Sequence, residues 1–177
     1  MKSDMSNIRL THGPRDRRKY HLPFERMAKR VRTTIGWREW VQMPEFGVSE
    51  IKAKVDTGAD NSSLHAFNIE RFEREGVSFV SFEIHPRQRK HTLTIICEAE
   101  VVMERKVRNP GGRTQLRPVI STRLSIAGQE FETLINLTTR DEMTFRMLLG
   151  RRSIRNEFLV DPGRSYLGGR PGRLGQT

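Results

Sequence analysis

Apolar and polar residues alternate with a period of two along much of the chain, as in strands that bury one face. The pattern is clearest over residues 48–55, where apolar residues at positions 51, 53 and 55 alternate with lysines. Turn-forming segments such as Asn109-Pro110-Gly111-Gly112 separate the strand-like stretches. The other such stretches cover residues 77–84, 93–103, 119–126, 131–137 and 145–149. This pattern predicts a mainly β domain.

Two short helices are predicted beside the strands. Asn68 can cap the first helix, and Gly76 can end it. Ile69 and Phe72 would share one face of that helix. The second helix is predicted over residues 151–158. The expected fold class is therefore mainly β with one or two short helices.

Length and composition divide the chain into a basic arm, one domain and a tail. A chain of 177 residues suits one domain that is large enough to bury a core. Residues 1–35 hold ten Lys and Arg against three Asp and Glu, and this stretch is predicted to be a poorly ordered arm. The domain is expected to span residues 36–167, beginning where Trp37 and Trp40 supply the first dense apolar patch. The Gly/Arg-rich residues 168–177 are predicted to be a loose tail.

Features that the sequence lacks indicate where the protein works. No run approaches the roughly 18 apolar residues of a membrane-spanning helix, and no apolar stretch of a secretory signal is found near the N-terminus. The single cysteine, Cys97, cannot form an internal disulfide, which suits a reducing compartment. A cytoplasmic protein without a membrane partner is expected. Because Cys97 lies in a strand-like stretch, it is predicted to be a packed thiol rather than a nucleophile.

No residue pattern indicates a metal or a bound nucleotide. The sequence has no His-Glu-x-x-His, no pair of cysteines and no Gly-x-x-x-x-Gly-Lys-Ser/Thr loop. Its five histidines are scattered, and His65 is expected to be a structural histidine. We therefore expect no cofactor and no metal.

The tripeptide Asp56-Thr57-Gly58 is the chief candidate for catalysis. It follows an apolar strand and places a carboxylate at the start of a loop, beside a hydroxyl and a glycine. Aspartic peptidases use two such carboxylates about 3 Å apart, which share one proton because like charges that close cannot both ionise. One carboxylate activates water as a base while the other polarises the scissile carbonyl. A lone Asp-Thr-Gly also serves as an ordinary turn, so a second signal is needed.

That second signal is the segment 147–151, which reads Met-Leu-Leu-Gly-Arg. In it, Leu149 ends an apolar strand, and Gly150 and Arg151 follow. The segment resembles the strand that retropepsins thread behind the catalytic loop before a short helix. The two motifs also occur in the order that retropepsins show.

At these residues the chain resembles the bacterial retropepsin-like aspartic peptidase family, whose members are often labelled ATP-dependent zinc proteases. The likeness runs from about residue 36 to residue 168. Its segments are residues 36–41 (GWREWV), 51–59 (IKAKVDTGA) with 64–66 (LHA), 145–151 (FRMLLGR) and 158–162 (FLVDP).

The resemblance implies a retropepsin-like closed β fold that is active as a homodimer, in which each chain supplies half of an Asp dyad. The implied catalytic residues are Asp56, Thr57 and Gly58. The implied supports of the catalytic loop are Ala59, Asp60, Leu149, Gly150 and Arg151. Some relatives accompany a ligase that adds glutamates to a ribosomal protein. A peptide or protein substrate with an acidic, glutamate-rich tail, and association with the ribosome or the ligase, are expected on this basis.

The chain departs from the bacterial pattern at Asp60, where many relatives carry arginine. Retroviral peptidases have an acidic residue at this place and an arginine after the distal glycine, which here is Arg151. This likeness implies an ion pair between Asp60 and Arg151 that braces the catalytic loop, since arginine offers a planar bidentate partner. A solvated Asp60 that caps backbone N–H groups is the alternative.

A catalytically silent binding protein is the alternative function. The net charge is +11, and clustered Lys and Arg give salt-dependent affinity for RNA, the ribosome or an acidic protein. A basic surface also suits an acidic peptide, so charge does not separate the two functions. The intact Asp56-Thr57-Gly58 favours the peptidase. The basic loops 85–91 and 108–113 could each cover a cleft as a flap or be solvated connections.

Overall fold

The computed structural model of the chain describes residues 31–87, 93–108, 114–139 and 144–171. By their internal contacts, Met1–Val31 and Arg32–Thr177 are two separate units. The described part of the second unit contains twelve strands and one short α-helix. They are β1 (Thr33–Gly36), β2 (Arg38–Met43), β3 (Val48–Asp56), β4 (Ser62–His65), β5 (Phe67–Arg74), β6 (Val77–Ile84), β7 (Ile95–Glu100), β8 (Met103–Arg108), β9 (Thr114–Ile126), β10 (Gln129–Thr138), β11 (Met147–Gly150), α1 (Arg151–Ile154) and β12 (Phe158–Asp161).

Seven strands form the main sheet, in the order β10, β4, β11, β3, β2, β9 and β8. Because β9 pairs with β10 as well as with β2, six of these strands close into a ring. The order also places β11 between β3 and β4, parallel to β3 and antiparallel to β4. The predicted mainly β fold of the retropepsin-like type is confirmed.

Alternation along the strands builds the core. In β3, Ile51, Ala53 and Val55 are buried, whereas Lys54 between them is exposed. The largest fully buried side chains are Phe82, Ile35, Met43, Ile51, Leu64, Ile84, Ile120, Leu124, Ile126, Ile135, Leu137 and Met147. Since two of these residues come from β6, the core extends from the closed ring into the smaller sheet of β5, β6 and β7.

The helix predicted after Asn68 is wrong, because this segment is strand β5, which pairs with β6. A bulge between Phe67 and Glu70 inserts one residue into the strand. Ile69 packs against the core, whereas Phe72 pairs and stacks with Phe79 on the opposite face of the small sheet. The two residues therefore share no face, and the spacing of three that was interpreted as helical periodicity is a coincidence of a strand with an apolar residue on each side. Gly76 ends no helix; with φ of 74° it forms part of the tight turn from β5 to β6.

The single strand predicted over residues 93–103 is two strands, β7 and β8. The chain leaves β7, which pairs with β6, and enters β8, which pairs with β9. Val101 N donates to Ser78 O at 2.9 Å, and Val102 N donates to Val119 O at 2.9 Å. Consecutive residues thus bond to different sheets, and the strand ends at this crossing.

The second predicted helix is present but shorter than expected. It covers Arg151–Ile154 instead of residues 151–158, because Phe158 begins β12, which pairs in parallel with β1. The Phe158 ring packs edge-on against Phe131, with centroids 5.4 Å apart. Within the described part of the chain, no helix has the length and apolar character that crossing a membrane requires.

Several predictions fall outside the described residues, namely those for residues 1–30 of the arm, 172–177 of the tail, and residues 88–91 and 109–113 of the two basic loops. The start of the tail is held in place, although a loose segment was expected. Gly168 N donates to Glu39 Oε2 at 3.2 Å, and the Arg170 guanidinium lies 2.6 Å from Glu50 Oε1.

Candidate active site

Asp56 is the last residue of β3 and opens the loop that leads to β4. Its neighbour Val55 N donates to the carbonyl of Trp37 at 2.9 Å, which ties the end of β3 to the start of β2. Asp56 Oδ1 accepts hydrogen bonds from Gly58 N at 3.0 Å and from Ala59 N at 3.1 Å. Asp56 Oδ2 makes no hydrogen bond within the described part of the chain. The loop therefore fixes the direction of a half-buried carboxylate and leaves one oxygen available.

The loop of Asp56 crosses the end of β11 at Gly150. Since β11 lies between β3 and β4, the segment that joins those two strands must pass over it. A Cβ atom on Gly150 would collide with backbone atoms of Asn61. Gly150 N also donates to Ser62 Oγ at 3.0 Å. Two backbones thus touch at this point, and glycine is the residue that allows it.

The start of α1 is bonded to the same loop. Arg151 N donates to Ala59 O at 2.8 Å, and Arg152 N donates to Asp60 O at 3.1 Å. The Arg151 guanidinium donates to Thr57 O at 3.1 Å and to Asp60 Oδ1 at 2.9 Å. The ion pair predicted between Asp60 and Arg151 is therefore present, and the same guanidinium spans the loop.

Asp60 has a second cationic partner, which the sequence analysis missed. Arg152 Nε lies 2.9 Å from Asp60 Oδ2, so each carboxylate oxygen contacts a different arginine. The three side chains are 41% (Asp60), 53% (Arg151) and 61% (Arg152) exposed, which limits the strength of either pair. The signal was the pair of consecutive arginines that starts the helix after Gly150.

A group of hydroxyls joins three elements next to the loop, and the sequence analysis missed this group as well. Ser62 Oγ and Ser153 Oγ lie 2.6 Å apart, and Thr133 Oγ1 lies 2.6 Å from Ser153 Oγ. Asn136 Nδ2 donates to Ser62 O at 2.9 Å. Three of these residues are buried, and the contacts join β4, β10 and α1. Their only sequence signal is a polar residue in an otherwise apolar pattern.

The structure brings together the eight residues predicted for the site, which are Asp56, Thr57, Gly58, Ala59, Asp60, Leu149, Gly150 and Arg151. Leu149 is fully buried and pairs with Val55, so it holds the end of β3 from the side. Of the two carboxylates in the loop, Asp60 forms ion pairs with two arginines. Asp56 accepts hydrogen bonds only at Oδ1 within the described part of the chain. Among the described residues, Asp56 is thus the carboxylate of this loop that keeps one oxygen without a hydrogen bond or an ion pair.

The two described histidines, His65 and His85, pack on an aromatic ring. His65 is fully buried, as expected for a structural histidine. The rings of His65 and His85 both pack on Phe67, at centroid distances of 4.4 and 4.1 Å. Among the described residues, no three His, Cys, Asp or Glu side chains lie together in a way that could hold a metal ion.

Cys97 lies in β7 and is buried, as predicted. Burial raises the pKa of its thiol to about 12, because desolvation disfavours the thiolate. A thiol with this pKa stays protonated near neutral pH, which disfavours nucleophilic attack by its sulfur.

Comparisons with known proteins show the family of the chain. The model of a family described as RimB-like, retropepsin-like aspartic endopeptidase RimB, matches residues 34–171. A "Probable alpha-L-glutamate ligase" of Shewanella pealeana is 44% identical over 140 residues, which are 79% of this chain and 31% of that protein. One of Desulfotalea psychrophila with the same name is 40% identical over 136 residues, which are 77% of this chain and 29% of that protein. The chain thus spans about three tenths of the length of these relatives.

A solved structure has the same fold. It is the crystal structure of a Legionella pneumophila protein of unknown function, with a TM-score of 0.65 and 28% sequence identity. The match covers 77% of this chain and 98% of the other. From the matched family model and these relatives, the chain belongs to the RimB-like family of retropepsin-like aspartic endopeptidases.

Proposed function

We propose that the protein is an aspartic peptidase in which Asp56 residues from two copies of the chain form the catalytic dyad. The observation that carries this proposal is the presentation of Asp56, whose Oδ1 is held by its own loop and whose Oδ2 is available. Two such carboxylates about 3 Å apart share one proton. The ionised one takes a proton from water, which attacks the scissile carbonyl, and the protonated one polarises that carbonyl.

A homodimer supplies the second carboxylate. The sequence contains one Asp-Thr-Gly, so one chain cannot form the dyad from this motif alone. A two-fold axis brings identical loops together, since the same patch of both subunits meets at such an axis. The bracing of the loop by Gly150 and Arg151 suits this role, because a dyad requires a fixed separation of its carboxylates.

The substrate that we propose is a protein tail rich in glutamate. Segments similar to this chain occur inside much longer proteins named alpha-L-glutamate ligase. A peptidase joined to such a ligase would remove the residues that the ligase adds. The same argument favours association of this protein with a glutamate ligase, or with the ribosome that carries a modified protein.

The decisive test is the Asp56→Asn variant, assayed by mass spectrometry on a peptide that ends in several α-linked glutamates. Asn keeps the shape of Asp but cannot share the proton, so hydrolysis should fall below detection. Asp161→Asn is the matched control, because Asp161 Oδ1 accepts from Gly163 N at 2.8 Å in a similar Asp-x-Gly turn. Full activity of purified Asp56→Asn would remove the mechanism. If the wild type cleaves no peptide, the interpretation as a binding module remains.

Mixing experiments test the dimer. When wild-type and Asp56→Asn chains exchange freely in equal amounts, about half of the wild-type activity should be lost through mixed dimers. A strictly monomeric protein that still cleaves peptides would contradict the shared dyad. EDTA should have little effect, and activity that EDTA abolishes and zinc restores would indicate a metal mechanism instead.

A further inference from the structure

The sheet face that carries Asp56 also carries cations that the proposed mechanism does not use, among them Lys54 and its cross-strand partner Arg38. Buried and outward residues alternate along β3, so Lys54 lies on the same face as Asp56, about 7 Å before it. Arg38 of β2 is directly opposite Lys54, at a Cβ separation of about 5 Å. Lys54 is exposed and Arg38 is half-buried. Two positive residues thus lie on the same face of the sheet as Asp56.

Neither cation makes an ion pair within the described part of the chain. Arg38 Nε donates to Ser165 Oγ at 3.1 Å, and its guanidinium lies 4.6 Å from the Trp37 ring and 5.1 Å from the Tyr166 ring. Arg38 is thereby oriented, whereas Lys54 extends into solvent. Like charges directly opposite each other destabilise a sheet. An anion bound between them would remove this repulsion.

The third side of this position is apolar. Leu148 of β11 is the partner of Lys54 on the other edge of β3, and it is half-buried. A side chain lying there would meet a leucine along its stem and two cations at its end. Glutamate has this combination, with two methylene groups and a terminal carboxylate.

We infer that Lys54 and Arg38, beside Leu148, form a subsite for the acidic side chain of a residue that flanks the scissile bond. This inference rests on the proposed function, because it requires the substrate peptide to lie across Asp56. An extended peptide advances about 3.3 Å per residue, so the residues next to the scissile bond come within reach of Lys54. The subsite selects glutamate because its carboxylate forms ion pairs with the two cations, whereas the neutral amide of glutamine accepts only a weaker hydrogen bond.

Binding tests the subsite without requiring catalysis. Full-length Asp56→Asn protein is titrated into two fluorescein-labelled peptides, one of six glutamates and one of six glutamines, and anisotropy is recorded. The glutamate peptide should bind about tenfold more tightly, as expected for a hydrogen bond to a charged group. When Lys54→Met or Arg38→Gln is added to the Asp56→Asn protein, the ratio of the two dissociation constants should fall to near one. Lys54→Glu should instead make the protein prefer a lysine peptide.

The control is Lys52→Met, which removes the same charge from the same face of the same strand. Lys52 lies two residues farther from Asp56 along β3 than Lys54 does, and its ammonium lies 5.1 Å from the Trp40 ring. The preference for glutamate should survive in this variant. If Lys52→Met and Lys54→Met weaken binding equally, a diffuse positive potential explains the affinity and the subsite is excluded. Binding of a uridine oligonucleotide that depends on Lys54, without any preference for glutamate, would exclude it too.

Cleavage separates the subsite from the proposed function. Peptides that differ only by Glu or Gln on either side of the cleaved bond are compared in wild-type and Lys54→Met proteins. The ratio of kcat/KM should fall from about ten towards one in the variant. Equal cleavage of both peptides by the wild type would overturn the subsite and leave the peptidase intact. If no peptide is cleaved, the peptidase fails, and the anisotropy measurements still decide the subsite.

Discussion

The loop that begins at Asp56 and the small sheet of β5, β6 and β7 are stabilised by contacts of different range. In the loop, Gly150 bonds to Ser62 and Arg151 bonds to Asp60, across 88 and 91 positions of the sequence. In the small sheet, each strand pairs with its neighbour in sequence, and the Phe72 and Phe79 rings stack at 5.7 Å. The loop conformation depends on distant elements, whereas the small sheet is built locally.

This difference predicts where the protein tolerates change. A contact between distant segments is lost when either segment moves. A methyl group added at Gly150, where the loop crosses β11, would therefore disturb both the loop and the strand. In β5, by contrast, every residue is at least partly exposed, and altered side chains can move into solvent. Substitutions of similar size should therefore have unequal effects in the two regions.

The largest effect is expected from Gly150→Ala. The added methyl would collide with the Asn61 backbone, so the loop or β11 must shift. We expect a loss of about 3 kcal/mol, or about 10 °C in melting temperature, because neither backbone can yield as a flexible side chain would. Peptidase activity should disappear, since the loop also presents Asp56. Calorimetry and a peptide assay measure the two effects.

Gly76→Ala in the turn of the small sheet is the control for Gly150→Ala. Gly76 has φ of +74°, but a Cβ there would meet nothing within 4 Å. The cost is then only that of a left-handed alanine, about 1 kcal/mol, with activity retained. Equal destabilisation by the two substitutions would show that the two regions do not differ in the way proposed.

The same difference explains what the sequence could predict. Asp56, Gly150 and Arg151 were predicted to lie together, because their two motifs resemble those of retropepsins in sequence and in order along the chain. The strand pattern of β3 and β6 was equally clear. The helix after Asn68 was a wrong prediction, because it depended on only two apolar residues three positions apart, and Ile69 and Phe72 lie on opposite faces of β5. A spacing taken from two residues cannot separate a helix from a strand that has an apolar residue on each face.

Other parts of the site were beyond prediction for a different reason. The hydroxyls of Ser62, Ser153 and Thr133 come from three segments, and nothing local marks them as neighbours. The sheet order that joins them depends on long-range pairing. The contact of Arg152 with Asp60 likewise depends on where α1 begins, and helix ends are the least certain feature of a sequence pattern.

A smaller effect is expected from Asp60→Ala, with Glu98→Ala as its matched control. The pair Asp60–Arg151 has a distance of 2.9 Å, and the pair Arg74–Glu98 in the small sheet has 2.7 Å, with both pairs about half exposed. Each substitution should cost about 1 kcal/mol or less, since solvent screens such pairs. Only Asp60→Ala should lower kcat/KM, by about tenfold, because its loop holds Asp56, which forms half of the proposed dyad. If Glu98→Ala lowers activity equally, the ion pair of the loop has no special role.

The smallest expected effect is on the rate at which a reagent modifies the thiol of Cys97 in β7. Because this thiol is buried, the rate measures how often the small sheet opens. Burial raises its pKa to about 12, above the ordinary 9.0, so the unfolded chain ionises at lower pH than the folded one. The stabilisation from the buried neutral thiol is therefore complete below about pH 9 and is lost as the pH rises through about 12. At pH 8, below both pKa values, ionisation of this thiol does not change the free energy of unfolding. At this pH a thiol reagent should modify the native protein slowly but the urea-unfolded protein rapidly. Mass spectrometry of the labelled protein over time measures both rates. Fast labelling of the native protein would mean that the small sheet opens readily, because reaction requires an exposed thiolate.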